Sequence, residues 1–168
     1  MMLVRVRSAY ETLLEAIAIV LMVTLACEVV IGVIFRSIGE SLVWYDEIAS
    51  ILLAWITYYG AALAAMRGAH IGVPGLVEAM PRALRLATTL FAEACVIGFF
   101  ALMAWIGWSV LDVLATDHLV SLPEVSVKYT QSVIPIGATL FMIAELLRLP
   151  QLLRAAAGAG APRMGINP

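Results

Sequence analysis

Charged residues are sparse along most of this chain and then arrive in small groups. None occurs between Ile48 and Met66, and that run ends at Arg67-Gly68-Ala69-His70. Four apolar runs of this kind cover roughly residues 13–35, 46–66, 84–111 and 128–149. Within each, apolar positions are continuous rather than alternating, which predicts helices and not membrane strands. A hydrocarbon core of about 30 Å needs about 20 helical residues, so each run is long enough to span it. The third is long enough to tilt or to project into the headgroups. The pattern predicts an all-α integral membrane protein: a four-helix membrane domain over residues 1–150, then a tail over 151–168. The tail is rich in Ala, Gly and Pro and is expected to be loosely ordered. The first and second pairs of runs do not repeat one another.

Composition agrees with bilayer residence. The chain of 168 residues is 63% hydrophobic and 13% charged, with a mean hydropathy of +1.01. Soluble domains are about half apolar and about a quarter charged. A formal net charge of −2, without a basic run or acidic tail, gives no footing for nucleic acid. Cys27 and Cys95 both fall inside apolar runs and read as inert small hydrophobes. The start, "MMLVRVR", is basic, and "TLAC" at 24–27 resembles a lipoprotein cleavage site. The apolar run continues through "VVIGVIF", too long for a signal core, so an uncleaved first span is expected.

Charge then orients the spans. Arg5, Arg7, Arg67, Arg82, Arg85, Arg148, Arg154 and Arg163 fall on one side, against Arg36 and Lys128 on the other. The positive-inside rule places both termini in the cytoplasm. The opposite side collects Glu40, Asp46, Glu47, Asp112, Asp117 and Glu124. Trp44, Tyr45, Trp105, Trp108 and Tyr129 lie near that boundary, as interfacial aromatics do.

Few residues suggest chemistry. His70 stands in a short turn beside Arg67 and two glycines, without the second ligand a metal needs. It reads either as a polar loop residue or as one that hydrogen-bonds the loop to a helix. Arg36 ends the first span, and Asp46 and Glu47 open the second, where the helix dipole favours acids. The short loop permits an Arg36–Glu47 contact; simple snorkelling of Arg36 to the headgroups is the alternative. Glu28 and Glu93 each fall within about 10 Å of mid-bilayer by rise per residue. An acid there costs about 2.5–3.5 kcal/mol on insertion, so each must face protein as a proton or ion site or as a hydrogen-bonding group. Glu145 can pair with Arg148 one turn on. Gly60, Ala64 and Gly68, with Ala61, Ala65 and Ala69, form a small-residue stripe suited to close helix packing, within the chain or with a partner subunit. Pro135 should kink or loosen the last span. No phosphate loop, GxSxG or HExxH is present, so neither an enzyme nor a cofactor is expected.

Joined together, "FRSIGESLVWYDEIASILLAWITYYGAALAAMRGAHIGV" resembles the small membrane subunit, of DctQ type, of tripartite ATP-independent periplasmic (TRAP) transporters. The resemblance covers about residues 10 to 150. Its pattern falls on Arg36, Trp44, Glu47, Trp55, Gly60, Arg67 and His70, and also on Pro81 and Pro135. Where the family carries an acid after Val73, this chain has Pro74, which implies a tighter turn. The resemblance implies a non-catalytic scaffold subunit in the bacterial inner membrane. It would pair 1:1 with a large multi-span permease and work with a periplasmic substrate-binding protein, the whole importing an organic acid with sodium. The chain would stay fixed in membrane lipid while the partner's transport domain moves.

Two other readings use the same residues. A four-span multidrug-efflux-type proton antiporter would work through Glu15, although such proteins are shorter and the dual-topology kind lack this charge bias. A haem-bearing membrane anchor would need histidines within the spans, whereas His70 and His118 both fall in loops.

Overall fold

The structure is a computed structural model that describes residues 2–69 and 79–157, with side chains from Val4 onward. His70 and Pro74 lie outside the described residues. The described helices are α1 (Met2–Ser37), α2 (Tyr45–Arg67), α3 (Arg82–Val113), α4 (Val127–Gln131) and α5 (Val133–Ala156), with a 3-10 turn, Leu114–Thr116, after α3. Among the described residues, four helical stretches are long and apolar enough to cross a membrane: Val4–Ser37, Tyr45–Arg67, Arg82–Thr116 and Val127–Ala156. The described residues are therefore helical with four candidate spans; the first three apolar runs each lie within one longer helix, and the fourth crosses from α4 into α5.

Helix ends follow local chemistry. Asp46 and Glu47 occupy the first turn of α2, where the positive end of the dipole stabilises them. Pro81 precedes α3 and its carbonyl accepts from Arg85 N at 2.9 Å; the missing N–H costs nothing at a helix start. Pro135 lies in the first turn of α5. Its ring excludes the carbonyl four residues back, at Gln131, and this separates the short α4 from α5 at Ser132. The loosening expected at Pro135 thus takes the form of a break one turn upstream. Pro150 lies within α5, which nevertheless continues to Ala156.

In space the helices follow the order α1–α2–α5–α3, because the principal contacts join α1 to α2, α2 to α5, and α5 to α3. The result is a slab with α1 and α3 at its edges. Each seam contains a glycine filled by a ring or its stem from the neighbour. Gly32 of α1 receives the ring of Tyr45, which a Cβ would overlap. A Cβ on Gly137 of α5 would stand 2.7 Å from the Tyr58 Cβ of α2, and one on Gly107 of α3 3.0 Å from the Pro135 ring. Absent side chains let helix backbones approach closely in lipid, where packing rather than hydrophobic driving force joins helices.

Gly60 behaves differently. Among the described residues nothing lies within 4 Å of a Cβ placed there, so the small-residue stripe is not a seam between described helices at that position. On the same helix it is Ala62, Ala65 and Met66 that are buried. They join Leu14, Phe141 and Ala144 in a core shared by α1, α2 and α5. Phe100 of α3 stacks on Phe141 with centroids 3.8 Å apart. Away from this core the edge helices are bare: Val20, Val23 and Val33 of α1, and Phe91, Leu102 and Trp105 of α3, are all exposed. Apolar surface on this scale needs lipid or protein against it.

Candidate functional site

The polar side chains gather at the two ends of the slab. At the end where α1 begins and α2 finishes, Gly68 stands at φ +69°. Gly68 N bonds Ala65 O at 3.1 Å and Ala69 N bonds Ala64 O at 2.9 Å, a Schellman closure that needs a residue free to adopt the left-handed region. Three arginines converge on this helix end. Arg67 donates from Nε to Glu11 and from Nη2 to Glu15 of α1, both at 2.8 Å. Arg7 of α1 donates to the Met66 carbonyl at 3.2 Å. Arg148 of α5 lies over Gly68, where a Cβ would stand 2.6 Å from its Nη2. It is also 3.5 Å from the buried Glu145, the pairing anticipated for one turn of helix. Arg85 of α3 donates to the Ala156 carbonyl at the end of α5 at 2.7 Å. Cations at helix C-termini are favoured by the unpaired carbonyls there. Tyr10 adds a bond from its hydroxyl to Leu140 O at 2.6 Å, tying α1 to α5 across α2.

The opposite end is held by an acid. Glu47 accepts from Val120 N at 3.1 Å and Ser121 N at 2.8 Å, and also from the Ser121 hydroxyl. The loop it grips is folded on itself: Leu119 N bonds Val125 O at 3.0 Å and Val127 N bonds Asp117 O at 2.9 Å. Leu119 is buried beneath it, and Ser126 caps α4 by accepting from Lys128 N. Lys128 pairs with Asp112 at 3.3 Å. Trp55 donates from its indole to Thr130 O at 3.0 Å and stacks with Tyr59. Trp44 is half-buried at the start of α2.

These contacts correct one expectation. Arg36 does not meet Glu47: Arg36 is exposed, and no ion pair joins the two among the described residues. The acid is committed to a loop 73 and 74 residues away. Trp55, Glu47 and Pro135 do share the loop-bearing end, whereas Arg67 belongs to the other. Pattern reading used Arg7 and Arg85 only for orientation, assigned neither a partner, and did not single out Tyr10, Tyr58 or Ser121. The acids Glu11 and Glu15, four apart on one face of α1, were the available signal for the partner of Arg67.

The buried acids stand apart from both ends. Glu28 is 8% exposed, and among the described residues neither carboxylate oxygen has a hydrogen-bond partner. Glu93 is half-buried on α3. Among the described residues no group of three or more His, Cys, Asp or Glu side chains converges as a metal site. Cys27 and Cys95 are both free. Glu15, the acid of the antiporter reading, is held by Arg67 in an ion pair.

Comparison with known proteins identifies the lineage. A family model described as the DctQ component of tripartite ATP-independent periplasmic transporters matches residues 25–155. One curated relative is the ectoine TRAP transporter small permease protein TeaB of Halomonas elongata, 34% identical over 90 residues. That alignment covers 51% of this chain and 46% of TeaB, so it spans about half of each. These matches leave the multidrug-antiporter reading without support. The match takes in the end of α1, the block from Arg36 to Arg67 and nearly all of the helices that follow, and the chain belongs to the DctQ component family of tripartite ATP-independent periplasmic transporters.

Proposed function

We propose that this chain is the stationary, non-catalytic small permease subunit of a sodium-coupled importer of an organic acid. It sits in the bacterial inner membrane with both termini cytoplasmic. It braces one large permease subunit, while a periplasmic binding protein delivers the substrate. The observation that carries this reading is the use of the polar side chains. Those at the two ends are engaged in joining helices or holding a loop, and the seams between helices are filled by rings against glycines. Such a slab is stiff at both ends, and apart from the buried acids Glu28 and Glu145 its described core is apolar, built from Leu14, Ala62, Ala65, Met66, Phe141 and Ala144. A stiff apolar slab suits a part that stays still in lipid while a neighbour moves. The grouping of Arg7, Arg67, Arg85 and Arg148 at one end supports the orientation. The substrate class and sodium coupling rest on the family resemblance; ectoine is the substrate named for TeaB.

Co-expression with the large permease tests this. The two should purify as a 1:1 complex, and proteoliposomes holding both, supplied with the binding protein, should show sodium-dependent uptake. Vesicles holding this chain alone should be silent. Solute flux through the chain unaided, or recovery only as a free monomer or homodimer, overturns the reading.

A further inference from the structure

Glu28 is a polar group that neither end of the slab uses. Between Ala16 and Phe35 the sequence holds no other charged residue, and α2 holds none from Ile48 to Met66. Glu28 is buried, and among the described residues neither of its oxygens meets a donor. Nearby hydroxyls are committed to their own helices: Thr24 donates to Val20 O and Ser50 to Glu47 O, each at 2.8 Å. Glu28 and Gly32 are four residues apart on one face of α1, and the Tyr45 ring occupies Gly32. The ring therefore stands about 6 Å nearer the loop-bearing end, between Glu28 and the aqueous edge.

The surroundings give a charge at Glu28 no relief. Asp46, next to Tyr45, acts on it through space with the same sign. Arg36 lies two turns away and is exposed, and no ion pair reaches Glu28 among the described residues. A carboxylate without donor or cation in apolar surroundings takes up a proton rather than keep its charge. We infer that Glu28 is a proton-carrying carboxylic acid in the α1–α2 seam, roofed by Tyr45, and that it is the site on this chain which apolar carbodiimides modify. The acid's proton goes to a carbodiimide nitrogen, and its oxygen adds to the central carbon. The O-acylisourea so formed passes its acyl group to nitrogen and becomes a stable N-acylurea. No group leaves, so the chain gains the mass of the whole reagent. Water would instead hydrolyse the O-acylisourea and regenerate the acid, so the stable product marks a dry site. Access is from lipid: α1 is an edge helix whose principal neighbour is α2, and Cys27 and Val29 beside Glu28 are exposed. The site needs only that the chain reside in a bilayer, so it stands or falls separately from the proposed transport role.

The test treats the full chain, in phosphatidylcholine nanodiscs at neutral pH, with dicyclohexylcarbodiimide or with a water-soluble carbodiimide. Peptide mass spectrometry then locates the adducts. Exposed acids, which ordinarily titrate near pH ~4, carry no proton under these conditions and should not react with the apolar reagent. The apolar reagent should place an N-acylurea on Glu28, and the water-soluble one should leave Glu28 unmodified. The adduct should vanish in Glu28→Gln and persist in Glu93→Gln. Tyr45→Ala removes the roof and admits water, so it should lose most of the adduct. No adduct on Glu28, equal yields from the two reagents, or an undiminished yield in a folded Tyr45→Ala chain overturns the proposal. So does an adduct that survives Glu28→Gln and is lost in Glu93→Gln. Should Tyr45→Ala fail to fold, the contrast between the two reagents on the native chain still decides the matter.

Discussion

The two ends of the slab are closed by opposite chemistry and with unequal redundancy. At the arginine end, Arg7 of α1 and Arg148 of α5 converge on the last turn of α2, whose own Arg67 reaches Glu11 and Glu15 of α1, and Arg85 of α3 serves the end of α5. At the other end the principal link between α2 and the 114–126 loop is one carboxylate, Glu47. The difference follows from the backbone. Helix C-termini present several unpaired carbonyls, and long guanidinium side chains reach them from different helices. A loop presents amides, which a short carboxylate at a helix start is suited to collect. The arginine end therefore tolerates the loss of one member, and the loop end does not.

The largest effect is expected from a change that disturbs both ends together. Gly137→Ala drives a methyl group into the Tyr58 Cβ at 2.7 Å, and overpacking of this kind costs about 1–3 kcal/mol. Thermal unfolding in detergent should show the loss, with faster amide exchange at both ends. Next comes Gly68→Ala, which forces a side chain into the left-handed region at about 1–2 kcal/mol and displaces Arg148. Its exchange signature should be confined to the arginine end. Glu47→Gln keeps one acceptor oxygen and loses the other. Exchange at Val120 and Ser121 should accelerate while Ala62–Met66 stays protected; unchanged exchange at those two amides would show that the latch does not hold the loop. The exchanged pair Arg36→Glu with Glu47→Arg should not restore protection, because these residues do not meet. The smallest effect belongs to Arg67→Gln. Exposed ion pairs are weakly stabilising, and Arg7 and Arg148 remain, so complex recovery should match the native chain. A collapse of assembly in this variant would mean that the redundancy is absent.

Much of this was legible in the chain. The number, approximate extent and helical nature of the spans follow from apolar run length against bilayer thickness. The pairing of Glu145 with Arg148 follows from helix periodicity. Of the two readings of Arg36, the contact with Glu47 is the one the structure does not show, for a definite reason. Proximity in sequence and opposite charge made the contact possible, but the acid had better donors in two backbone amides brought by a distant loop. The stripe at Gly60 was read as a packing face within the chain or toward a partner, and among the described residues no neighbour fills it there; a small-residue stripe marks a face that can pack closely, not the neighbour that occupies it.

The amino-acid sequence by itself determined the elements, their apolar middles and the division into a basic and an acidic end, because these are properties of consecutive residues in lipid. Only the tertiary structure decided that α3 passes to the far side of α5, and this choice placed the 114–126 loop over Glu47 and Pro135 against Gly107. It rests on ring-into-glycine fits between residues as far apart as Tyr58 and Gly137. Shape complementarity at that range has no signature in local periodicity.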